Sequence, residues 1–254
     1  MKHKRLQDIA GLTDMGMRRH NNEDAIAWDA ELGLALVADG IGGNNGGEVA
    51  SSTAVRCIKS DLQAALRGAA NEAGAASEHG RAAMVHELVR RANRRILSMA
   101  ERDPKLYGMG ATLAVALLTD DRVVIANIGD SRVYRMRGDA IEQLTRDHVL
   151  TRELVERGSM SEQEAAKSHV GNVLIRALGM TGELKLDLVQ HPMQSGDVYL
   201  LCSDGLTGML SDDELAELLR DPAADLREVA QQAVALANQR GGRDNISVIL
   251  MRIA

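Results

Sequence analysis

Four aspartates stand at the edges of apolar segments, each inside a short and unusual run. They are Asp24 in TDMGMRRHNNED, Asp39 in LALVADGIGGNNGGE, Asp204 in VYLLCSDGL and Asp244 in GGRDNISVIL. A carboxylate beside a buried strand is costly to leave unpaired, because it gives up water without a partner. Four of them spread over 220 residues suggest that the chain gathers them around something positive. Oxygen donors with no thiolate or imidazole among them suit a hard divalent cation, Mg2+ or Mn2+, better than zinc. Any one of these aspartates alone would be read as a turn or cap residue; it is the set that points to a metal.

The rest of the composition bounds the answer. A chain of 254 residues is long enough for one substantial core, as one large domain or two small ones. A hydrophobic fraction of 45% and a charged fraction of 26% are ordinary for a globular protein. The net charge of -6, with no basic run, argues against nucleic acid as a partner. No apolar run reaches the length of a membrane span, and MKHKRLQDIA lacks the apolar stretch of a signal peptide, so no membrane partner is expected. Cys57 and Cys202 are too few for a disulfide framework, which favours a reduced, cytoplasmic setting. With no Phe and one Trp, aliphatic side chains and twelve Met must fill the core.

The elements that must position the acids follow from the hydrophobic periodicity. LQDIAGLTD, DAIAWDA and LGLALVAD alternate as strands. A helix is expected from Gly47 to about Leu66, then an Ala- and Gly-rich mobile connection, RGAANEAGAASEHG, then a helix over His86–Arg102 that Pro104 ends. Ala111–Thr119, Arg122–Ile128, Ser131–Arg137 and Ala140–Leu144 read as a meander, with turns at Asp120-Asp121 and Gly138-Asp139. A polar helical stretch from about Val149 to Lys167 should break near Gly158, with Ser161 and Glu164 as a capping box for its second half. Strands return at Lys185–Gln190 and Asp197–Cys202, Ser211 and Glu214 repeat the capping box, and Pro222 opens a last helix to Arg240. Ile246–Ile253 closes the chain as a strand. Grouped strands with paired helices indicate an α+β fold, antiparallel sheets covered by helices in one domain.

Eight words occur in a telling order: TDMGMRRHNNED, VADGIGGNNGGEVAS, GMGATL, NIGDSRVY, LTRDH, NVLIRALG, GDVYLLCSDGL and GGRDNISV. In that order they resemble the metal-dependent type-2C serine/threonine protein phosphatases, in particular the compact bacterial-type members, over about Asp8 to Ile253. The resemblance implies a four-layer α-β-β-α sandwich, two antiparallel sheets flanked by helices with the metals at one end, and a single catalytic domain over 1–254. It also implies a protein serine/threonine phosphatase that opposes a serine/threonine kinase of the same cell, with phosphorylated proteins as substrates. Carried over residue by residue, Asp39 resembles the carboxylate that bridges two Mn2+ or Mg2+ ions. Gly40 would lend its carbonyl and Glu23 would bind the second ion, while Asp204 and Asp244 would complete the first. Asp24 would hold water on the metals by a hydrogen bond. Asp130 in GDSR resembles the ligand of a third ion shared with Asp204; its plain alternative is a residue closing a turn. Two such cations acidify a shared water and clamp the attacking and leaving oxygens. Arg19 matches the phosphate-binding arginine, because a guanidinium can grip two phosphate oxygens at once. Arg18 is the neighbouring alternative, pointed to the other face by strand alternation.

The chain departs from the pattern in places. Animal members carry a His directly after the Asp-Gly pair, as a suspected general acid; here the residue is Ile41. His148 and His169 are candidates for that role by type only, and each reads better as structural or solvent-facing. Ala111 replaces a frequent Thr, which reads as a packing change, and the 149–171 stretch that matches the flap lacks a Pro often found after its His. GIGGNNGG fails the dinucleotide-binding glycine spacing, and neither Cys is followed six residues later by the Arg of a cysteine-based phosphatase. Two rival functions are a silent binding domain of the same fold, which should have lost ligand acids, and a phosphoesterase for small molecules. As one self-contained domain the chain is expected to be a monomer.

Overall fold

The run Leu34–Ala38, LALVA, is buried at every residue, so it needs apolar cover on both faces. In the computed structural model, which describes residues 3–42, 46–68, 78–166, 168 and 173–254, it finds both. Leu34, Leu36 and Ala38 of this strand, β3, pack toward helices α1 (Gly46–Gly68) and α2 (Glu78–Arg102). Ala35 and Val37 pack toward a second sheet. β12 (Ile246–Ile253) does the same in that second sheet. Its Ile246, Val248 and Leu250 lie against α6 (Asp212–Leu219) and α7 (Leu226–Gln239), and Ile249, Met251 and Ile253 face β3. The result is the expected four-layer α-β-β-α sandwich.

One sheet has the order β1-β12-β11-β8-β9, with β1 at Leu6–Asp14, β8 at Arg132–Arg137, β9 at Ala140–Gln143 and β11 at Val198–Cys202. The other is β10-β7-β6-β3-β2, with β2 at Ala25–Asp29, β6 at Leu113–Leu118, β7 at Arg122–Ile128 and β10 at Asp187–Pro192. All neighbours are antiparallel. A two-stranded pair, β4 (Gly40–Ile41) with β5 (Gly110–Ala111), caps one end.

Several boundaries differ from the sequence reading for local reasons. The last helix starts at Leu226, because Asp225 accepts from the Arg227 N–H and makes the cap that Pro222 had suggested. α2 begins eight residues before His86. The polar helical stretch splits into α3 (Leu150–Glu156) and α4 (Glu162–Ala166), with Gly158 between them at φ +70, a conformation that favours glycine. Both capping boxes form: Ser161 with Glu164, and Ser211 with Glu214. A one-turn α5 (Asp204–Thr207) was not foreseen. The Ala- and Gly-rich connection falls largely on residues 69–77, outside the described residues.

Register then delivers the acids to one end. Ala25 pairs with Ala38, so Asp24 and Asp39 leave their strands side by side. Cys202 pairs with Val248, and Ser203 donates its N–H to the Ser247 carbonyl at 3.1 Å, which places Asp204 and Asp244 at the same end of the other sheet. Leu113 pairs with Ile128, which brings Asp130 there as well. The sandwich core between β3 and the helices therefore holds up the site. Leu36→Ala, at a fully buried position, should lower stability by about 2–5 kcal/mol in urea unfolding.

Candidate metal centre

Each acid reaches the cluster from a strand end whose free backbone groups are held by buried hydroxyls and amides. The Asp39 N–H donates to Thr112 Oγ1 at 2.9 Å, and the Asp39 carbonyl accepts from the Thr112 N–H at 2.8 Å. Thr112 Oγ1 in turn lies 2.6 Å from Ser131 Oγ. Gly40 follows, its N–H bonded to the Glu23 carbonyl at 3.1 Å, and here glycine is required by close approach. A Cβ would collide with the Gly47 and Glu23 carbonyl oxygens. Ser51 Oγ also donates to the Glu23 carbonyl, at 2.6 Å, so the start of α1 is tied to the same loop.

Asp24 is buried, and Ser203 Oγ donates to its Oδ2 at 2.7 Å. The same Ser203 oxygen accepts the Ser247 N–H at 3.0 Å, and Ser247 Oγ lies 2.8 Å from Thr13 Oγ1. Asp24 Oδ1 and Asp204 Oδ1 are buried without a hydrogen-bond partner. Asp244 accepts the Asn245 N–H on Oδ1 at 2.8 Å and the Arg19 guanidinium on Oδ2 at 2.6 Å. That contact raises the Arg19 pKa, with Asp244 the largest cause.

Burial and mutual repulsion dominate the electrostatics. Burial pushes Asp24 up to about 6 and Asp130 up to about 7, with Asp204 repelling both. Asp39 is driven well above the ordinary carboxylate range, first by burial and then by Asp24, Asp204, Asp130 and Asp244. Asp204 is raised by burial and by Asp244, and Glu23 by burial. Among the described residues no three His, Cys, Asp or Glu side chains close on one ion as they stand. Two unsatisfied buried oxygens and four mutually repelling carboxylates are nevertheless the donor set that a hard cation neutralises, and the residues present fit Mg2+ or Mn2+.

The geometry therefore brings together Arg19, Glu23, Asp24, Asp39, Gly40, Asp130, Asp204 and Asp244. His148 is excluded from proton transfer. It is 2% exposed, its Nδ1 accepts the Gly129 N–H at 3.0 Å, and its Nε2 lies 3.0 Å from Asp187 Oδ2. His169 lies outside the described residues. Asn245 was missed by the sequence reading. Its Oδ1 accepts the Glu23 N–H at 2.8 Å while its Nδ2 donates to the Met15 and Asn21 carbonyls at 2.9 Å, pinning the Arg19–Asp24 loop to β12. Its position directly after Asp244 was the available signal. Thr112 and Ser203 were also missed, and hydroxyls beside the marked carboxylates were theirs.

Comparison with known proteins agrees with this arrangement. Residues 17–247 match the family model of protein phosphatase 2C. The serine/threonine phosphatase stp of Listeria innocua is 38% identical over 245 residues, 94% of this chain and 93% of that protein. The serine/threonine protein phosphatase PstP of Mycobacterium tuberculosis is 36% identical over 95% of this chain, which spans 44% of that longer protein. The crystal structure of M. tuberculosis PstP superposes with a TM-score of 0.85 at 32% identity, covering 96% of this chain and 97% of that one. The catalytic domain of PstP in complex with two manganese ions gives a TM-score of 0.81 at 33% identity, covering 97% and 98%.

The raised acids set a pH dependence for the chain in chelator. A carboxylate whose pKa is higher folded than unfolded binds protons more tightly in the native state, so its contribution to stability is lost as pH rises from about 4 to about 7. Asp130→Asn removes one such group. In thermal melts with EDTA, the variant should gain stability over wild type at pH 7.5 and lose that advantage at pH 4.5.

Proposed function

The chain belongs to the protein phosphatase 2C family, and from that premise we infer a metal-dependent serine/threonine phosphatase that acts on phosphorylated proteins. The observation that carries the reading is the cluster of Asp24, Asp39, Asp130 and Asp204, each raised by burial and then by neighbouring acids, beside Arg19. In this reading Asp39, Asp204 and Asp244, with Glu23 and the Gly40 carbonyl, would hold two Mn2+ or Mg2+ ions, and Asp130 with Asp204 would hold a third. When bound, such ions lower the pKa of water and offset the charge of the phosphate. The whole chain, 1–254, serves as one catalytic domain, with 149–171 as a flap beside it.

The protein's own groups then divide the work. The Arg19 guanidinium, half-exposed at the rim, binds two phosphate oxygens and orients the ester. Asp24 Oδ1, buried and unpartnered, accepts a hydrogen bond from the attacking water and aligns it, while Ser203 fixes the other oxygen. Buried main-chain bonds at Asp39 and Thr112 keep the bridging carboxylate from swinging away when the site reloads. Ile41 offers no proton, and His148 is locked into structure, so neither protonates the leaving serine or threonine oxygen. Every acid of the set is retained, which disfavours a silent binding domain. A serine/threonine kinase of the same cell is the opposing enzyme, the chain works as a monomer in the cytoplasm, and neither nucleic acid nor membrane enters this reading.

Phosphate release from a phosphothreonine peptide should require Mn2+ or Mg2+ and stop with chelator. Asp39→Asn should reduce kcat by about 10³-fold or more, by analogy with the loss of a group that stabilises developing charge. Arg19→Lys should lower kcat/KM about 10-fold, since an ammonium cannot make the paired contact. A folded wild type that binds Mn2+ and releases no phosphate would overturn this reading.

A further inference from the structure

The outer helical layer is far from uniform in charge. Between Arg81 and Arg95, α2 carries five arginines and one glutamate, a net +4, in a chain whose total is -6. Glu87 is shared by three of them, with Arg90 Nε at 2.7 Å, Arg91 Nε at 3.0 Å and Arg94 Nη2 at 3.5 Å. One carboxylate cannot neutralise three guanidiniums, and Arg90, Arg91, Arg94 and Arg95 are all exposed. Helical spacing separates the arginines into pairs, and folding places them on one face.

That face leads into a groove. Arg90, Arg94 and Leu97 follow at i, i+4 and i+7, and Leu97 with Ala100 forms one wall of a groove of about 1070 Å³. Tyr107 and Met180, which are 89% and 43% exposed, stand among its lining residues. At its inner side the groove reaches Ile41, two residues after Asp39 and paired with Gly110 in the β4–β5 cap. The Ile41 Cα therefore lies within about 7 Å of the Asp39 Cα. Among the described residues Glu101 is the one charged residue on the lining.

We propose that this groove and the arginine face of α2 form a docking surface for the substrate polypeptide: an apolar side chain near the phosphoresidue enters the groove, and an acidic stretch beyond it meets Arg90 and Arg94. The inference rests on the phosphoprotein phosphatase reading of the adjoining cluster. Two arguments select this occupant. The groove begins at Ile41, two residues from Asp39 and so beside the site where a phosphoprotein must lie, and Arg94 and Arg90 flank it beyond Leu97 while its wall carries Glu101, so acidic residues are steered past the slot to the arginines. The rise of the helix from Leu97 to Arg90 is about 10 Å, the span of about three extended residues, which sets the spacing between the apolar and acidic positions. Guanidiniums fit carboxylates in paired geometry, so the surface selects Asp- and Glu-rich segments.

The test uses the full chain and a set of phosphothreonine peptides: a short core, the core with an apolar residue, and the core with an apolar residue and an acidic tail about three residues further on, built in both directions. Exposed ion pairs are individually weak, so the acidic tail should raise kcat/KM about tenfold at low salt, through KM, and lose the gain at high salt. The double variant Arg90→Glu/Arg94→Glu should erase the gain, Tyr107→Ala should erase the part due to the apolar residue, and turnover of p-nitrophenyl phosphate should stay unchanged. Fluorescence anisotropy of the same peptides in chelator reads docking without turnover. If no peptide is hydrolysed by wild type, the phosphatase reading fails, and the anisotropy series still decides the docking surface. Equal affinity and kcat/KM for neutral and acidic tails, or for wild type and the double variant, would overturn the proposal. An RNA oligonucleotide that binds through Arg90 and Arg94 while acidic tails do not would overturn it in favour of nucleic acid.

Discussion

Buried like charges are the constraint from which this end of the molecule is built. Burial raises Asp24, Asp39, Asp130 and Asp204, and repulsion from neighbouring acids adds to it in each case. A flexible loop would relieve that repulsion by moving apart. Strand ends cannot move freely, because each is continuous with a hydrogen-bonded ladder of one of the two sheets. The register of Ala25 with Ala38 and of Cys202 with Val248 sets the acids' spacing before any side chain chooses a rotamer. The two central layers, with aliphatic cores above, between and below them, thus hold a charge arrangement that is unfavourable by itself and favourable to a cation.

Strand ends also leave backbone groups without ladder partners, and the chain answers with short polar side chains. Thr112 takes both main-chain groups of Asp39, Ser203 serves Asp24 and Ser247, and Asn245 bonds three segments at once. These are buried groups with their hydrogen bonds made, which costs little, where an unmade bond would cost about 1–3 kcal/mol. Asp24 Oδ1 and Asp204 Oδ1 at the cluster are among the buried polar atoms left without a bond.

Much of this was legible in the sequence. The alternating strands and the capping boxes at Ser161 and Ser211 are local signals, and each is borne out in the fold. The resemblance supplied the four-layer packing of two sheets that periodicity alone does not fix. What stayed hidden depends on long-range contact. Nothing near Pro222 shows that Asp225 wins the helix start, because the choice turns on which side chain meets the Arg227 N–H. Asn245 reads as an ordinary polar neighbour until Glu23, Met15 and Asn21 arrive around it. The cationic face of α2 was hidden for a different reason: a run-based reading of charge sees paired arginines broken by Ala92 and Asn93, whereas the helix turns those two inward.

His148 shows how a varied segment can be attached to so constrained a site. Its N–H donates to the Gly129 carbonyl at 2.9 Å, and Nδ1 accepts the Gly129 N–H, so one residue grips the turn that carries Asp130 from both sides. Because Nδ1 accepts, the ring proton sits on Nε2 and is given to Asp187, and burial lowers the His148 pKa in keeping with a neutral ring. Arg176 donates to the same Asp187 at 2.9 Å, while the Ile175 N–H bonds the His148 carbonyl. Both roots of the segment, Val149 and Leu174, meet in a single bridge beside this knot. Between them, Thr151, Val155 and Glu162 line one cavity with Asp130 and Asp204, so this segment borders the cluster while His148 fixes its root to the Gly129 turn.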